Sequence, residues 1–191
     1  MEQVSKQETT EILRFAEQAV SADGDFVELG CYKGDTSLLL AKLLKAHRSD
    51  KKLWLYDSFA GLPEKTAEDS SSAGDQFKAG ELFVSKREVV EKFKRAGLRI
   101  PIIKKAFFED LNPETDLPNM ISFAFCDGDL YASIKTSLHL VVPKLDQKGI
   151  IIVHDYNNPE LPGSSKAVDE FLRTHPEFRL TQKYTLAILT K

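Results

Sequence analysis

Three short stretches carry side chains whose types and spacing could do chemistry. Asp127 follows the apolar run Ile121–Cys126 and opens Asp127-Gly128-Asp129-Leu130-Tyr131, while His154-Asp155-Tyr156 follows the run Gly149–Val153. Two carboxylates and an imidazole are the ligands of a divalent cation or the members of an acid–base pair. The second stretch is Glu28-Leu29-Gly30-Cys31-Tyr32-Lys33-Gly34-Asp35-Thr36, and the third is Asp57, directly after Lys52–Tyr56. A glycine at a strand end lets backbone approach a ligand, and one at a helix start lets amides point at it. Tyr32 stands where a dinucleotide fingerprint has its middle glycine, which disfavours a pyrophosphate cradle.

The two acids around that loop select a different ligand. Glu28 repels phosphate but suits an ammonium group, and an acid placed like Asp57 accepts the hydroxyls of a ribose. A nucleoside that bears an amino acid, S-adenosylmethionine, satisfies both. The competing reading is a structural glycine turn with exposed acids.

These groups meet only if the chain forms a parallel sheet with the three stretches at the carboxyl ends of its strands. Apolar residues at helical spacing predict a helix over 8–20, with a structural role, and a second from Asp35 or Thr36 to His47. Asp25–Gly30 reads as a buried strand, so the opening is strand, glycine turn, helix. Residues 58–80 lack periodicity and read as a lid over the ligand edge or as a disordered insertion. A charged helix follows over 81–97, with Val89, Val90, Phe93 and Leu82 on its buried side. Ile100–Ile103 reads as a short strand whose proline suits a sheet edge. Residues 132–145 predict a helix buried through Ile134, Leu138, Val141 and Leu145, and another spans 164–173. Two short strands, separated at Gln182-Lys183, close the chain, one of them able to run antiparallel.

The whole composition narrows the function classes. The 191 residues suit one domain with a sizeable core. Lys and Arg number 26 against 29 Asp and Glu, a net charge of −3, so no global field favours nucleic acid or an anionic membrane. The basic run between 86 and 105 reads as a solvated helix face. No apolar run approaches the roughly 20 residues of a membrane span, and the first residues lack the apolar core of a signal peptide. With only Cys31 and Cys126, the expectation is a cytoplasmic protein with reduced thiols, although the two strands that carry them could be neighbours.

Four ordered motifs resemble one family. They are Glu28-x-Gly30-x-Tyr32-x-Gly34; Tyr56-Asp57-Ser58-Phe59-Ala60-Gly61-Leu62-Pro63-Glu64; Asp127-Gly128-Asp129-Leu130-Tyr131; and Gly149-Ile150-Ile151-Ile152-Val153-His154-Asp155-Tyr156. Together they look like the macrocin O-methyltransferases, class I S-adenosylmethionine-dependent enzymes. The resemblance implies an α/β, Rossmann-like sheet of seven mostly parallel strands with an antiparallel C-terminal hairpin. It implies cofactor contacts at Glu28, Gly30, Tyr32, Gly34, Asp57, Ser58 and Asp127. It also implies that Phe108 flanks the adenine, with Ala106 replacing the glycine of the family's Gly-x-Phe segment. The implied metal ligands are Asp127, His154 and Asp155, where His154 replaces an aspartate of the family. Magnesium prefers oxygen, and the imidazole admits manganese, iron or zinc equally.

The chemistry implied is transfer of a methyl group to a hydroxyl of a sugar or sugar-containing small molecule, with magnesium or manganese assisting. Asp127 and His154 are the catalytic candidates, His154 as a neutral base of ordinary pKa. Asp129 is expected to cap the helix after it or to hydrogen-bond locally rather than ligate the ion, and Lys135 is a second candidate base or a solvated lysine. Two rivals use the same scaffold: a metal-dependent hydrolase or hydroxylase, and a non-catalytic S-adenosylmethionine-binding protein. A homo-oligomer is left open.

Overall fold

The computed structural model describes residues 4–73 and 76–191. The chain runs α1 (Lys6–Ala19), β1 (Asp25–Leu29), α2 (Asp35–Ala46), β2 (Leu53–Asp57), α3 (Lys86–Arg95) and β3 (Ile102–Lys105). It continues with α4 (Pro113–Asp116), β4 (Ile121–Cys126), α5 (Tyr131–Val141), β5 (Leu145–Val153), α6 (Pro162–Thr174), β6 (Arg179–Lys183) and β7 (Leu186–Thr190). Among the described residues, seven strands form one sheet in the order β3-β2-β1-β4-β5-β7-β6. Only β7 runs against the others, pairing antiparallel with both β5 and β6. The α/β, Rossmann-like expectation with its antiparallel hairpin holds.

The central strands are apolar because both of their faces are covered. All six residues of β4 are buried. Phe123 and Phe125 pack with Phe26, Leu55, Ile150 and Ile152 against Ile12, Leu40, Val89 and Phe93 of α1, α2 and α3. The alternating residues Ala124 and Cys126 join Val27, Leu29 and Ile151 against Ile134, Leu138 and Val168 of α5 and α6. β3 is an edge strand, Pro101 directly precedes it, and Ile102 is exposed there. Cys31 and Cys126 are free and buried. No helix among the described residues is long and apolar enough to cross a membrane.

From β1 the chain builds outward to β2 and β3, then returns to place β4 on the other side of β1 and continues to β5. That reversal opens a crevice at the carboxyl ends of β1 and β4. Register brings the three chemical stretches together: Leu29 lies opposite both Tyr56 and Cys126, and Cys126 opposite Val153. Gly30 is needed by this packing, because a Cβ there would overlap the carbonyl of Asp127.

Several boundaries differ from expectation. The helix predicted over 81–97 starts only at Lys86, where Ser85 and Glu88 form a reciprocal capping box. Leu82 therefore lies outside it, with φ at 60°, on the wall of the crevice. Leu145 is not helical: Pro143 tightens the end of α5 into a 3-10 turn, and Leu145 begins β5. The final turn is Tyr184-Thr185, so Gln182 and Lys183 belong to β6.

The segment 58–80, of which residues 74 and 75 lie outside the described residues, is tied down at two places. Its ends are joined by the Leu62 amide donating to Glu81 and the Gly80 amide to Leu62. Asp69, buried in a 3-10 turn, accepts from the Tyr131 amide at 2.7 Å and from Thr66. It thereby caps α5, the role expected of Asp129. Asp69→Ala should cost about 0.5–2 kcal/mol of stability and speed proteolysis within 58–80. Denaturant melts and limited trypsin digestion check both, and an unchanged digestion pattern would mean that Asp69 does not anchor the segment.

Candidate active site

The crevice holds a cavity of about 910 Å³, with Glu28, Gly30, Tyr32, Asp57, Ser58, Phe108, Asp127, His154 and Asp155 on its wall. Nine of the ten sequence-predicted site residues thus meet in one place. Gly34 is absent from that wall, and its amide is spent on the Cys31 carbonyl at 2.7 Å. Its φ of 72° starts α2, and a Cβ would press on Val89 at 3.1 Å. The glycine is required by the turn.

Asp57 organises the loop after β1. Its Oδ2 accepts the amides of Cys31 at 3.0 Å and Tyr32 at 2.9 Å, and its Oδ1 accepts the Phe59 amide at 2.8 Å. A carboxylate has about four lone-pair sites, so Oδ1 keeps room for one more donor from the cavity. Burial raises its pKa while these three amides oppose the rise. Ser58 is mostly used locally, its hydroxyl donating to Gly61 O and accepting from Ala60 N.

Glu28 is almost completely buried, and its Oε2 has no hydrogen-bond partner. Burial pushes its pKa well above the usual carboxylate range, and the charges of Asp127 and Asp57 add to the rise. An unpartnered buried acid on a cavity wall is stabilised by a cation from the cavity.

His154 is surrounded by carboxylates. Its Nδ1 lies 3.0 Å from Asp127 Oδ1 and 2.9 Å from Asp155 Oδ2. Its Nε2 has no hydrogen-bond partner and faces Glu8 Oε2 at 3.8 Å. Burial disfavours a charged ring, but the three acids outweigh it and hold the pKa well above the ordinary value. This corrects the expectation of a neutral, unperturbed base. Asp155, in the left-handed region with φ at 59°, is fixed by Asn158, whose side-chain amide donates to its Oδ1 at 2.7 Å.

Asp127, His154 and Asp155 are suited to one ion, since one ligand atom from each lies within 4.8 Å of the others, and Nδ1 is the His154 nitrogen beside both carboxylates. Neighbouring ligands around an octahedral ion with bonds of about 2.1 Å are about 3.0 Å apart, close to the two Nδ1–oxygen distances here. Asp129 also faces the cavity, with φ at 60° and no hydrogen bond donated to its carboxylate among the described residues. Tyr131 and Lys135 turn away: the Tyr131 hydroxyl donates to Glu170 at 2.6 Å and accepts from Lys135 at 2.9 Å. The Tyr156 hydroxyl is likewise taken, by Asp169 at 3.0 Å.

Sequence reasoning missed the contribution of α1, assigned only a structural role. Val4, Lys6, Thr9 and Thr10 line the cavity, and Glu8 reaches beneath His154. The available signal was the position of Glu8, one helical turn before Ile12, in line with the buried stripe of Ile12, Ala16 and Ala19.

The state of Glu28 leads to a stability prediction. A carboxyl whose pKa rises on folding supports the fold below its unfolded pKa, and that support is lost as pH rises through the folded value. Glu28→Gln should therefore raise the melting temperature of the ligand-free protein near pH 8 by roughly 2–8 °C. The gain over wild type should shrink as pH falls towards 4.5. Paired thermal melts across pH check this, and a gain that does not change with pH would contradict it.

Comparison with known proteins gives this geometry a family. The chain is 31% identical over 154 residues to 8-demethyl-8-(2,3-dimethoxy-alpha-L-rhamnosyl)-tetracenomycin-C 4'-O-methyltransferase of Streptomyces olivaceus. It is 33% identical over 156 residues to demethyldecarbamoylnovobiocin O-methyltransferase of Streptomyces niveus. These matches cover 75% and 78% of the chain and 58% of each relative. Among solved structures, the O-methyltransferase NovP superposes with a TM-score of 0.83 at 27% identity, covering 97% of this chain and 79% of that one. Calicheamicin methyltransferase CalS11, at 19% identity and a TM-score of 0.79, shares the fold over 98% of this chain and 80% of its own. The macrocin-O-methyltransferase (TylF) model matches residues 6–179, and the chain belongs to that family.

Proposed function

We propose that this protein is an S-adenosylmethionine-dependent O-methyltransferase acting on a hydroxyl of a sugar or sugar-bearing small molecule, assisted by a divalent cation. The observation that carries the reading is one cavity in which Glu28, Asp57 and the Asp127–His154–Asp155 cluster converge. The acceptor class comes from the relatives, whose names describe methylation of rhamnosyl and novobiocin compounds.

S-adenosylmethionine supplies a methyl group on a positively charged sulfur, and a divalent cation supplies Lewis acidity at an acceptor oxygen. The orphan oxygen of Glu28 takes the methionine ammonium, which relieves its buried charge. Asp57 takes one ribose hydroxyl at Oδ1, because Oδ2 already holds two amides. Phe108 packs beside Gly128 and offers an aromatic face for the adenine. Asp127, His154 and Asp155 hold the cation.

The acceptor proton goes to Asp129 rather than His154. His154 Nδ1 lies between two carboxylates and its Nε2 faces Glu8 without a hydrogen bond, whereas the Asp129 carboxylate is open to the cavity. Its left-handed backbone is the kind of local strain that functional sites retain. The rest of the catalytic effect is alignment of acceptor oxygen, methyl and sulfur, which a fixed cavity wall provides.

The test is formation of S-adenosylhomocysteine with a panel of deoxysugar-bearing acceptors, with magnesium, manganese or chelator present. Turnover is expected to require the cation, and Asp129→Asn should lower kcat by about 10²–10⁴-fold without weakening cofactor binding. Full activity of Asp129→Asn would remove it as the base. Turnover indifferent to chelator, or no methylated acceptor at all, would contradict the metal-assisted or the catalytic reading respectively.

A further inference from the structure

The cation cluster contains one imidazole among its carboxylates, and that imidazole has two nitrogens with different neighbours. To ligate through Nδ1, the ring must leave that nitrogen unprotonated and carry its proton on Nε2. Nothing in the cluster itself enforces this. Asp127 and Asp155 both lie against Nδ1, and without an ion they favour a proton there. A ligand that exchanges between two tautomers holds a metal less well than one whose far nitrogen has a fixed partner.

The far side of the ring faces Glu8. The carboxylate is buried, with its side chain only 8% exposed, and His154 Nε2 is 3.8 Å from its Oε2. That separation exceeds a hydrogen bond, but between two buried groups it leaves the carboxylate's charge largely unscreened. Nε2 has no other partner. The surroundings hold Glu8 in place. Its Oε1 accepts from the amide and hydroxyl of Thr185 in the β6–β7 turn, and its Oε2 accepts from the Ser5 amide at 3.0 Å. The reciprocal bond from the Glu8 amide to Ser5 Oγ, at 3.2 Å, completes a capping box. The carboxylate is thus fixed from both sides and directed at the back of His154.

Resting on the metal reading above, we propose that Glu8 is a positioning residue for the cation site: it holds the ring proton of His154 on Nε2 and so presents Nδ1, unprotonated, to the ion between Asp127 and Asp155. This role belongs to the imidazole. An all-carboxylate cluster has no tautomer to fix, and Glu8 would add only negative charge behind it.

Calorimetric titration with manganese tests the assignment without any acceptor. Glu8→Gln should weaken manganese binding by about 10–100-fold. In a His154→Asp background the same Glu8→Gln change should leave affinity unchanged or improve it. Ser5→Ala, which removes half of the capping box but keeps the acid, should bind as wild type does. Equal manganese affinity of wild type and Glu8→Gln overturns the role of Glu8 alone. An equal loss in both backgrounds does the same, because it marks a purely structural effect. Absence of manganese binding by wild type overturns the metal reading itself, and the role of Glu8 with it. A measurement on unaltered protein stands beside these: long-range proton–nitrogen spectra of the magnesium-loaded protein should show the His154 proton on Nε2, and a proton on Nδ1 contradicts the proposal.

Discussion

One imidazole set among buried carboxylates is the interaction on which the site depends. Glu8, Asp127 and Asp155 all direct oxygen atoms at His154, while Glu28, Asp57 and Asp129 bring further acid to the same cavity. Uncompensated burial of so many carboxyl groups is unfavourable, and the raised pKa values of Glu28, Asp57 and Asp129 express it. The fold tolerates this cost because the large apolar core on both faces of the sheet lies elsewhere. A cavity with this charge is preorganised for cationic groups, and an ammonium, a sulfonium and a divalent ion are all of that kind.

The scaffold fixes these acids through backbone rather than side-chain packing. Apart from Glu8 of α1, each sits at or just beyond the carboxyl end of a parallel strand, so strand register sets their spacing. Gly30 lets the β1 end approach Asp127, and Asp57 ties the loop after β1 to the end of β2. Ser58, Gly61, Leu62, Pro63 and Phe77 and the start of α1 line the cavity, the two segments being held by buried acids, Asp69 and Glu8 respectively. The two acids thus fasten the surrounding segments to the same sheet edge.

Much of this was legible in the sequence. The continuous apolar runs of β4 and β5 read as buried parallel strands, which places their terminal Asp127 and His154-Asp155 at one edge. What escaped depended on contacts between distant residues. Glu8 looks like an ordinary first-turn acid, and only its partnership with Thr185, at the far end of the chain, brings it beneath His154. Asp129 was expected to cap α5 because it precedes the helix, yet Asp69 occupies that position from a loop 62 residues away. Leu145 continued the periodicity of α5, but Pro143 ends the helix first. Gly34 was read as letting amides point at the ligand, whereas its own amide donates to the Cys31 carbonyl and its left-handed φ serves the turn into α2.

The most direct test of the account is a calorimetric titration of the protein with S-adenosylmethionine, comparing wild type with Asp57→Ala. Saturable one-to-one binding by wild type is expected, weakened about 10–100-fold in the variant, as fits loss of a hydrogen bond to a charged group. No binding by wild type would contradict the assignment of the cavity, and equal binding by the two proteins would contradict the part given to Asp57.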